Sequence, residues 1–201
     1  MRISPPQPSV LHLPTIFRQI SAGDIRNPAF QRQFVWDQKQ IIELLQSVIE
    51  GFPIGSILLW GVDERVLRIA QSEEKAFPSV QERYPTNYVL DGMQRLSTLY
   101  GVFHFGSSTS DRRFNVYYDL ETCSFAYSNG LPAKESYSLP LSALFNPRKL
   151  LENQSVLSKM PNSDLLIERL LQLQASFQEY MVLLSLSRVR ILIELLKYLR
   201  E

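Results

Sequence analysis

The segment Asp91-Gly92-Met93-Gln94-Arg95 contains the residue types best suited to binding an anion. The apolar run at residues 87–90 predicts a buried strand before it, and the apolar spacing after it predicts a helix. The first backbone N–H groups of a helix have no partner within the helix and lie at the positive end of its dipole, so such a turn suits a phosphate. Gly92 would let an anion approach the backbone closely, and the Arg95 guanidinium offers two parallel donors.

The residues alone leave two interpretations of this segment open. Asp91 can cap the helix, or it can hold Mg²⁺ or a water molecule beside a phosphate. An Asp-Gly pair before a helix is also common as a simple cap, with the following arginine in solvent. The segment has no lysine of the P-loop kind, so it does not belong to that class of phosphate site.

A second polar stretch, residues 26–36, interleaves charged and amide side chains with aromatic ones. Aromatic faces can stack on bases, and arginine or glutamine edges can form hydrogen bonds with them, so the stretch suits nucleotide recognition. The alternative is a loop that its aromatic residues attach to the core, with the arginines at the surface. The polar members are Arg26, Asn27, Gln31, Arg32 and Gln33, and the aromatic members are Phe30, Phe34 and Trp36.

Apolar periodicity and capping residues predict the elements that position these segments. The best-specified helix follows Asp37, because Gln40 completes a capping box and Gly51 and Pro53 end the helix. The pattern further predicts helices at 14–22 and from 93 to 103, strands at 54–60, 65–70 and 87–90, a hairpin at 114–127, and mostly helix at 141–180. This order predicts an α+β fold, with one domain over 1–140 and a helical extension over 141–201.

The composition excludes several classes of protein. The chain is 45% hydrophobic and 20% charged with a net charge of +1, which is typical of a globular domain without a general excess of positive charge. Cys123 is the single cysteine, so we expect no internal disulfide and a cytoplasmic location. No apolar run is long enough for a membrane span. A nuclease is the weakest interpretation, because there is no HNH histidine pair and no carboxylate cluster.

Three stretches, taken in order, resemble one protein family. They are Asn-Pro-Ala-Phe-Gln-Arg-Gln-Phe-Val-Trp, Gly-Phe-Pro-Ile-Gly-Ser and Tyr-Val-Leu-Asp-Gly-Met-Gln-Arg-Leu-Ser-Thr-Leu-Tyr. Together they resemble the N-terminal domain of GmrSD-type modification-dependent restriction enzymes, also described as domain-of-unknown-function family 262. The resemblance covers about residues 13–120 and extends more loosely to about residue 185.

This resemblance implies a fold like that of ParB and sulfiredoxin, a small mixed sheet with flanking helices. It implies a module for restriction of foreign DNA and phage defence that binds or hydrolyses a nucleoside triphosphate with Mg²⁺. Its partners would be DNA and an HNH nuclease domain or subunit, and self-association stays open. Carried over by motif, the catalytic residues would be Asp91, Gln94 and Arg95, the nucleotide-binding residues Gln31, Arg32, Gly92 and Arg95, and the metal ligand Asp91.

Met93 departs from the family motif, which usually has glutamine at this position. A methionine side chain has no hydrogen-bond donor, so any polar contact from it to a phosphate or a water molecule is lost, and we expect it to pack instead. A second function therefore stays open: a non-catalytic domain that senses DNA or a nucleotide and regulates a partner nuclease.

The end of the chain departs from the family pattern as well. The family normally continues into a segment like Glu-Ile-Phe-Glu-Arg-Ile-Asn, and a one-nucleotide slip in such a segment yields Lys-Tyr-Leu-Arg-Glu and a stop, which is the ending seen here. We therefore hypothesise that residues 184–201 are out of frame and that the chain is truncated. The leucine and isoleucine spacing also fits a plain helix, and sequencing the gene past the stop would decide between the two.

Overall fold

The computed structural model describes residues 7–28, 31–62, 77–81, 83–104, 111–127 and 137–187. These residues form eight strands and five helices. The strands are Gln7–His12 (β1), Ile25–Arg26 (β2), Ile57–Val62 (β3), Thr86–Asp91 (β4), Val116–Asp119 (β5), Ser124–Tyr127 (β6), Ser138–Pro140 (β7) and Met181–Ser187 (β8). The helices are Leu13–Ala22 (α1), Gln38–Ile49 (α2), Met93–His104 (α3), Pro147–Leu157 (α4) and Ser163–Glu179 (α5). The predicted α+β class is confirmed.

The chain divides into two compact units, each assembled from separate stretches. The first draws on Met1–Phe34, Gly55–Leu96 and Met181–Glu201, and the second on Val35–Ile54 and Ser97–Tyr180. The two units therefore alternate along the sequence, whereas the predicted division has one boundary, between residues 140 and 141. That division stays a prediction about domains.

The first unit contains a five-stranded mixed sheet in the order β1-β8-β3-β4-β2. Strand β8 runs antiparallel to β1 and parallel to β3, while β4 runs antiparallel to β3 and parallel to β2. Helix α1 is close to β1 and β2, its neighbours along the chain, and its apolar face is buried. The side chains on that face are Leu13, Ile16, Phe17 and Ile20.

Strand β8 corrects part of the predicted helical extension. Val182 and Leu184 are buried while Met181 and Leu183 are exposed, which is the two-residue period of a strand with one covered face. The extension is therefore helical up to Glu179, and the prediction of helix is wrong for Met181–Ser187. Residues 188–201 lie outside the described residues, and they are most of the segment that the frame-shift hypothesis concerns. The predicted strand at 65–70 also lies outside them.

The second unit contains α2, the larger part of α3, α4, α5 and a three-stranded antiparallel sheet in the order β6-β5-β7. The predicted hairpin is confirmed as β5 and β6. Phe103 of α3 packs edge-on against Phe145 and Phe177, with ring centroids 4.9 and 4.8 Å away, respectively. Such aromatic pairs are a large share of the buried apolar area that holds helices together. No helix among the described residues is long and apolar enough to cross a membrane.

Local signals fix the start of α2 as predicted. The Asp37 side chain accepts a hydrogen bond from the Gln40 backbone N–H at 2.9 Å, and the Gln40 side chain accepts one from the Asp37 N–H at 3.1 Å. This reciprocal capping box is confirmed, and it fixes the point where residues 31–36 end.

Candidate functional site

Gly92 forms the turn between β4 and α3, as the sequence predicts. Strand β4 ends at Asp91, α3 begins at Met93, and Gly92 between them has a left-handed backbone with φ of 87°. A β-carbon at residue 92 would collide with the Ile57 side chain. Glycine is therefore required here both for its backbone conformation and for the space it leaves.

The Arg95 guanidinium lies one turn into α3, against two glycines. Its Nη2 donates to Oδ2 of Asp91 at 3.2 Å, and the Arg95 side chain is 20% exposed against 73% for Asp91. A β-carbon at Gly55, where φ is 84°, would lie 2.6 Å from Nη1, and one at Gly92 would lie 3.2 Å from Nη2. The cation is thus held close to bare backbone, with a carboxylate on its more exposed side. Whether Asp91 also caps the helix or holds a metal stays a prediction.

Gln31 extends the hydrogen bonding of the main sheet with its side chain. Strand β2 pairs with β4 at only two residues, Asn87 and Tyr88. Beyond them, Gln31 Nε2 donates to the carbonyl oxygens of Leu90, at 2.8 Å, and Val89, at 3.3 Å. The amide predicted to touch a nucleotide therefore attaches its own loop to the end of β4.

Gln94 attaches the same loop from α3. Its side chain is buried, 7% exposed, and its Nε2 donates to the Gln33 carbonyl oxygen at 3.1 Å. Arg32 lies between the two attachment points and is exposed. The structure thus brings residues 31–33 beside the turn at Gly92, and Gln94, predicted to be catalytic, donates to protein backbone.

Arg26 belongs to the core of the first unit, so at this position it is neither the nucleotide contact of one interpretation of residues 26–36 nor the surface arginine of the other. Its side chain is 1% exposed, and it donates to the carbonyl oxygens of Gly23, Val80 and Gln81. A buried guanidinium requires such acceptors, and here they tie α1 to a distant loop. Phe30 lies outside the described residues.

Met93 packs in the interior, as expected, with 4% of its surface exposed. Among the described residues, no three histidine, cysteine, aspartate or glutamate side chains lie together as a metal site. Asp91 alone could hold only an ion such as Mg²⁺, which can take one carboxylate from the protein and the remaining ligands from phosphate and water. The residues present therefore fit Mg²⁺ that arrives with a phosphate ligand.

Gly55 lies beside Arg95 although it is not among the predicted site residues. It is the second glycine of Gly-Phe-Pro-Ile-Gly-Ser. Nothing local to that stretch indicates that Arg95 lies against it.

Comparison with known proteins identifies the family to which this chain belongs. The model of the family described as GmrSD restriction endonuclease, N-terminal domain, matches residues 13–196. The chain belongs to this family. The family model matches β8 and extends well past residue 184, the first residue of the segment that we hypothesise to be out of frame. The frame shift stays a prediction.

The domain is also similar to an uncharacterized protein of Methanocaldococcus jannaschii. The two are 36% identical over 83 residues, which is 39% of this chain and 14% of that protein. The similarity thus spans about a seventh of the relative's length. The relative's description assigns no activity, so the family is the functional information that the comparisons supply.

Proposed function

We propose that this domain binds the phosphate groups of a nucleoside triphosphate at Arg95, as a module of a bacterial restriction or phage-defence system. The observation that carries the proposal is the Arg95 side chain, which is 20% exposed and whose guanidinium is set against Gly55 and Gly92 at the start of a helix. A partly buried guanidinium attracts an anion more strongly than one in free solvent, since the surroundings screen it less. Arg32, exposed on the loop beside the turn, would supply a second cation.

Asp91 gives this site a requirement for a cation. Its carboxylate already pairs with Arg95, so a bare phosphate would approach a pair with no net charge and would be repelled by the carboxylate. Mg²⁺ would supply the charge that joins a carboxylate to phosphate oxygens, and Asp91 is the residue that would hold it. We therefore expect binding of the triphosphate to depend on Mg²⁺.

The family resemblance favours hydrolysis, with Asp91 orienting the metal or water and Arg95 holding the phosphate. Gln94 and Arg32 would position the nucleotide. Two observations favour the second candidate, a domain that senses a nucleotide or DNA without turnover. Met93 is buried, and the Gln94 amide donates to the Gln33 backbone. In either case we propose a cytoplasmic location and DNA and an HNH nuclease as partners.

Binding of ATP and GTP by calorimetry, with and without Mg²⁺, tests the proposal. We expect Arg95→Ala to weaken binding by about tenfold or more, because a charge-assisted contact to phosphate is lost. Arg148→Ala is the matched control, since Arg148 also pairs with an acidic residue four positions away in the sequence but is 89% exposed. Equal affinities for the two variants would contradict the proposal.

Phosphate release measured on the same samples separates the two candidates. Turnover that disappears in Arg95→Ala supports a hydrolase, whereas binding with no turnover in the unmodified domain supports a sensor.

A further inference from the structure

We infer that Gly55 is a positioning residue of the phosphate site, where the absence of a side chain sets the place of the Arg95 guanidinium. The inference rests on the proposed function and deepens it, because it adds a residue from a loop that no motif assigns to the site. At this position two roles of glycine can be distinguished: glycine permits a left-handed backbone, and it leaves space for a neighbouring side chain.

The space at Gly55 is already used by the guanidinium. An alanine β-carbon there would lie 2.6 Å from Nη1 of Arg95 and 3.6 Å from its Cζ. Van der Waals contact between such atoms begins near 3.5 Å, so the guanidinium would have to move. A side chain at residue 55 and the present position of Arg95 therefore exclude each other.

The second terminal nitrogen of the guanidinium, Nη2, has contacts of its own. Nη2 donates to Asp91 at 3.2 Å and would lie 3.2 Å from a β-carbon at Gly92. The guanidinium is planar and rigid, so a displacement at Nη1 changes the direction of Nη2 as well. Pushing Arg95 away from Gly55 would therefore also disturb its pair with Asp91.

The residues that precede Gly55 are fixed by a tyrosine. The Tyr180 hydroxyl accepts a hydrogen bond from the Ile54 N–H at 3.1 Å and donates to the Phe52 carbonyl oxygen at 2.6 Å. The backbone immediately before Gly55 is thus held at two points within the second unit.

A pair of glycines in the same loop allows a controlled test. Gly51 has a φ of 74°, close to the 84° of Gly55, but a β-carbon there would meet no atom within 4 Å. Gly51→Ala and Gly55→Ala therefore share the strain of a left-handed alanine, and only Gly55→Ala contacts Arg95. We expect Gly55→Ala to lower the affinity for Mg²⁺–ATP by about tenfold or more, and Gly51→Ala to leave it unchanged.

A double-mutant cycle distinguishes a positioning role from a general loss of structure. In the Arg95→Ala background, Gly55→Ala should weaken ATP binding no further, because the side chain that it displaces is gone. Should Gly55→Ala prevent folding, Gly55→Ala/Arg95→Ala should restore a melting transition like that of Gly51→Ala/Arg95→Ala.

Two results would overturn the inference while leaving the proposed function intact. One is an equal effect of Gly51→Ala and Gly55→Ala on affinity, and the other is a Gly55→Ala/Arg95→Ala variant that binds Mg²⁺–ATP clearly more weakly than Arg95→Ala alone. Failure of the proposed function is visible separately, as an Arg95→Ala domain that binds Mg²⁺–ATP with the affinity of the unmodified domain.

Discussion

Gln94 and Arg95 are adjacent on α3, yet the fold uses their side chains differently. Gln94 is buried and its amide is bound to the backbone of Gln33, whereas the Arg95 side chain keeps a fifth of its surface in solvent. A helix turns by about 100° per residue, so neighbouring positions face different surroundings. The motif therefore combines a residue that holds a loop with one whose side chain is partly exposed to solvent.

Removing the Gln94 donor should loosen residues 31–34. Gln94→Glu keeps the size of the side chain but replaces the donating amide with an acceptor facing the Gln33 carbonyl oxygen. We expect a loss of about 1–3 kcal/mol in the free energy of unfolding and faster amide hydrogen exchange in the loop. Gln178→Glu, on an exposed position of α5, is the control and should cost no more than about 0.5 kcal/mol. Unchanged exchange in the Gln94 variant would refute this role.

Helix α3 shows how packing can override the preference of a single residue. Gly101 lies within the helix, where glycine is normally unfavourable relative to alanine. A β-carbon at residue 101 would lie 2.7 to 2.9 Å from three ring carbons of Phe114, whose side chain is 1% exposed. The glycine is therefore explained by the aromatic ring that lies over it.

Gly101→Ala should consequently destabilise the domain, although helix propensity alone predicts the reverse. Overpacking costs about 1–3 kcal/mol and the gain in propensity is about 1 kcal/mol, so we expect a net loss of up to about 2 kcal/mol. Ser155→Ala, on an exposed position of α4, isolates the propensity gain and should be neutral or slightly stabilising. Denaturant unfolding measures both variants, and a more stable Gly101→Ala domain would show that Phe114 moves aside without cost.

The sequence predicts those elements whose signals are local. The cap of α2 depends on Asp37 and Gln40, and the turn at Gly92 depends on its immediate neighbours, so both are predicted and both are found. Arg26 escapes prediction because its acceptors include Val80 and Gln81, 54 and 55 residues away. Strand β1 was not predicted, because a strand with five of its six residues exposed needs no alternation of apolar residues, and its sequence shows none.

At the scale of the whole molecule, tyrosines of the second unit with raised pKa values make the stability of that unit depend on pH. Burial is the main cause that raises the pKa of Tyr118 to about 12, and burial also raises the pKa of Tyr127 and of Tyr180. All three tyrosines belong to the second unit. Each stays protonated in the folded state at a pH where an unfolded chain would lose the proton.

The free energy of unfolding should therefore decrease as the pH rises into the alkaline range. Unfolded tyrosine ionises near pH 10, so the contribution of Tyr118 is fully present below pH 10 and is lost as the pH rises to about 12. A single tyrosine can cause a fall of at most about 1.4 kcal/mol per pH unit. Denaturant unfolding from pH 8 upward measures the slope, and Tyr118→Phe should make it shallower between pH 10 and about 12. An identical slope in the variant would exclude Tyr118 as a source.

The place of β8 in the main sheet has a consequence for the order in which the molecule is made. Strand β8 separates β1 from β3, so β1, synthesised first, has no neighbour in the sheet until the ribosome has added Met181–Ser187. Strands β2, β3 and β4 can pair before that, and they carry Gly55, Asp91 and Gly92 or lie next to them along the chain. During synthesis, the turn at Gly92 that precedes Arg95 can therefore form well before the sheet is complete. Strand β1 stays unpaired in this sheet until β8, encoded more than 160 codons later, has been made.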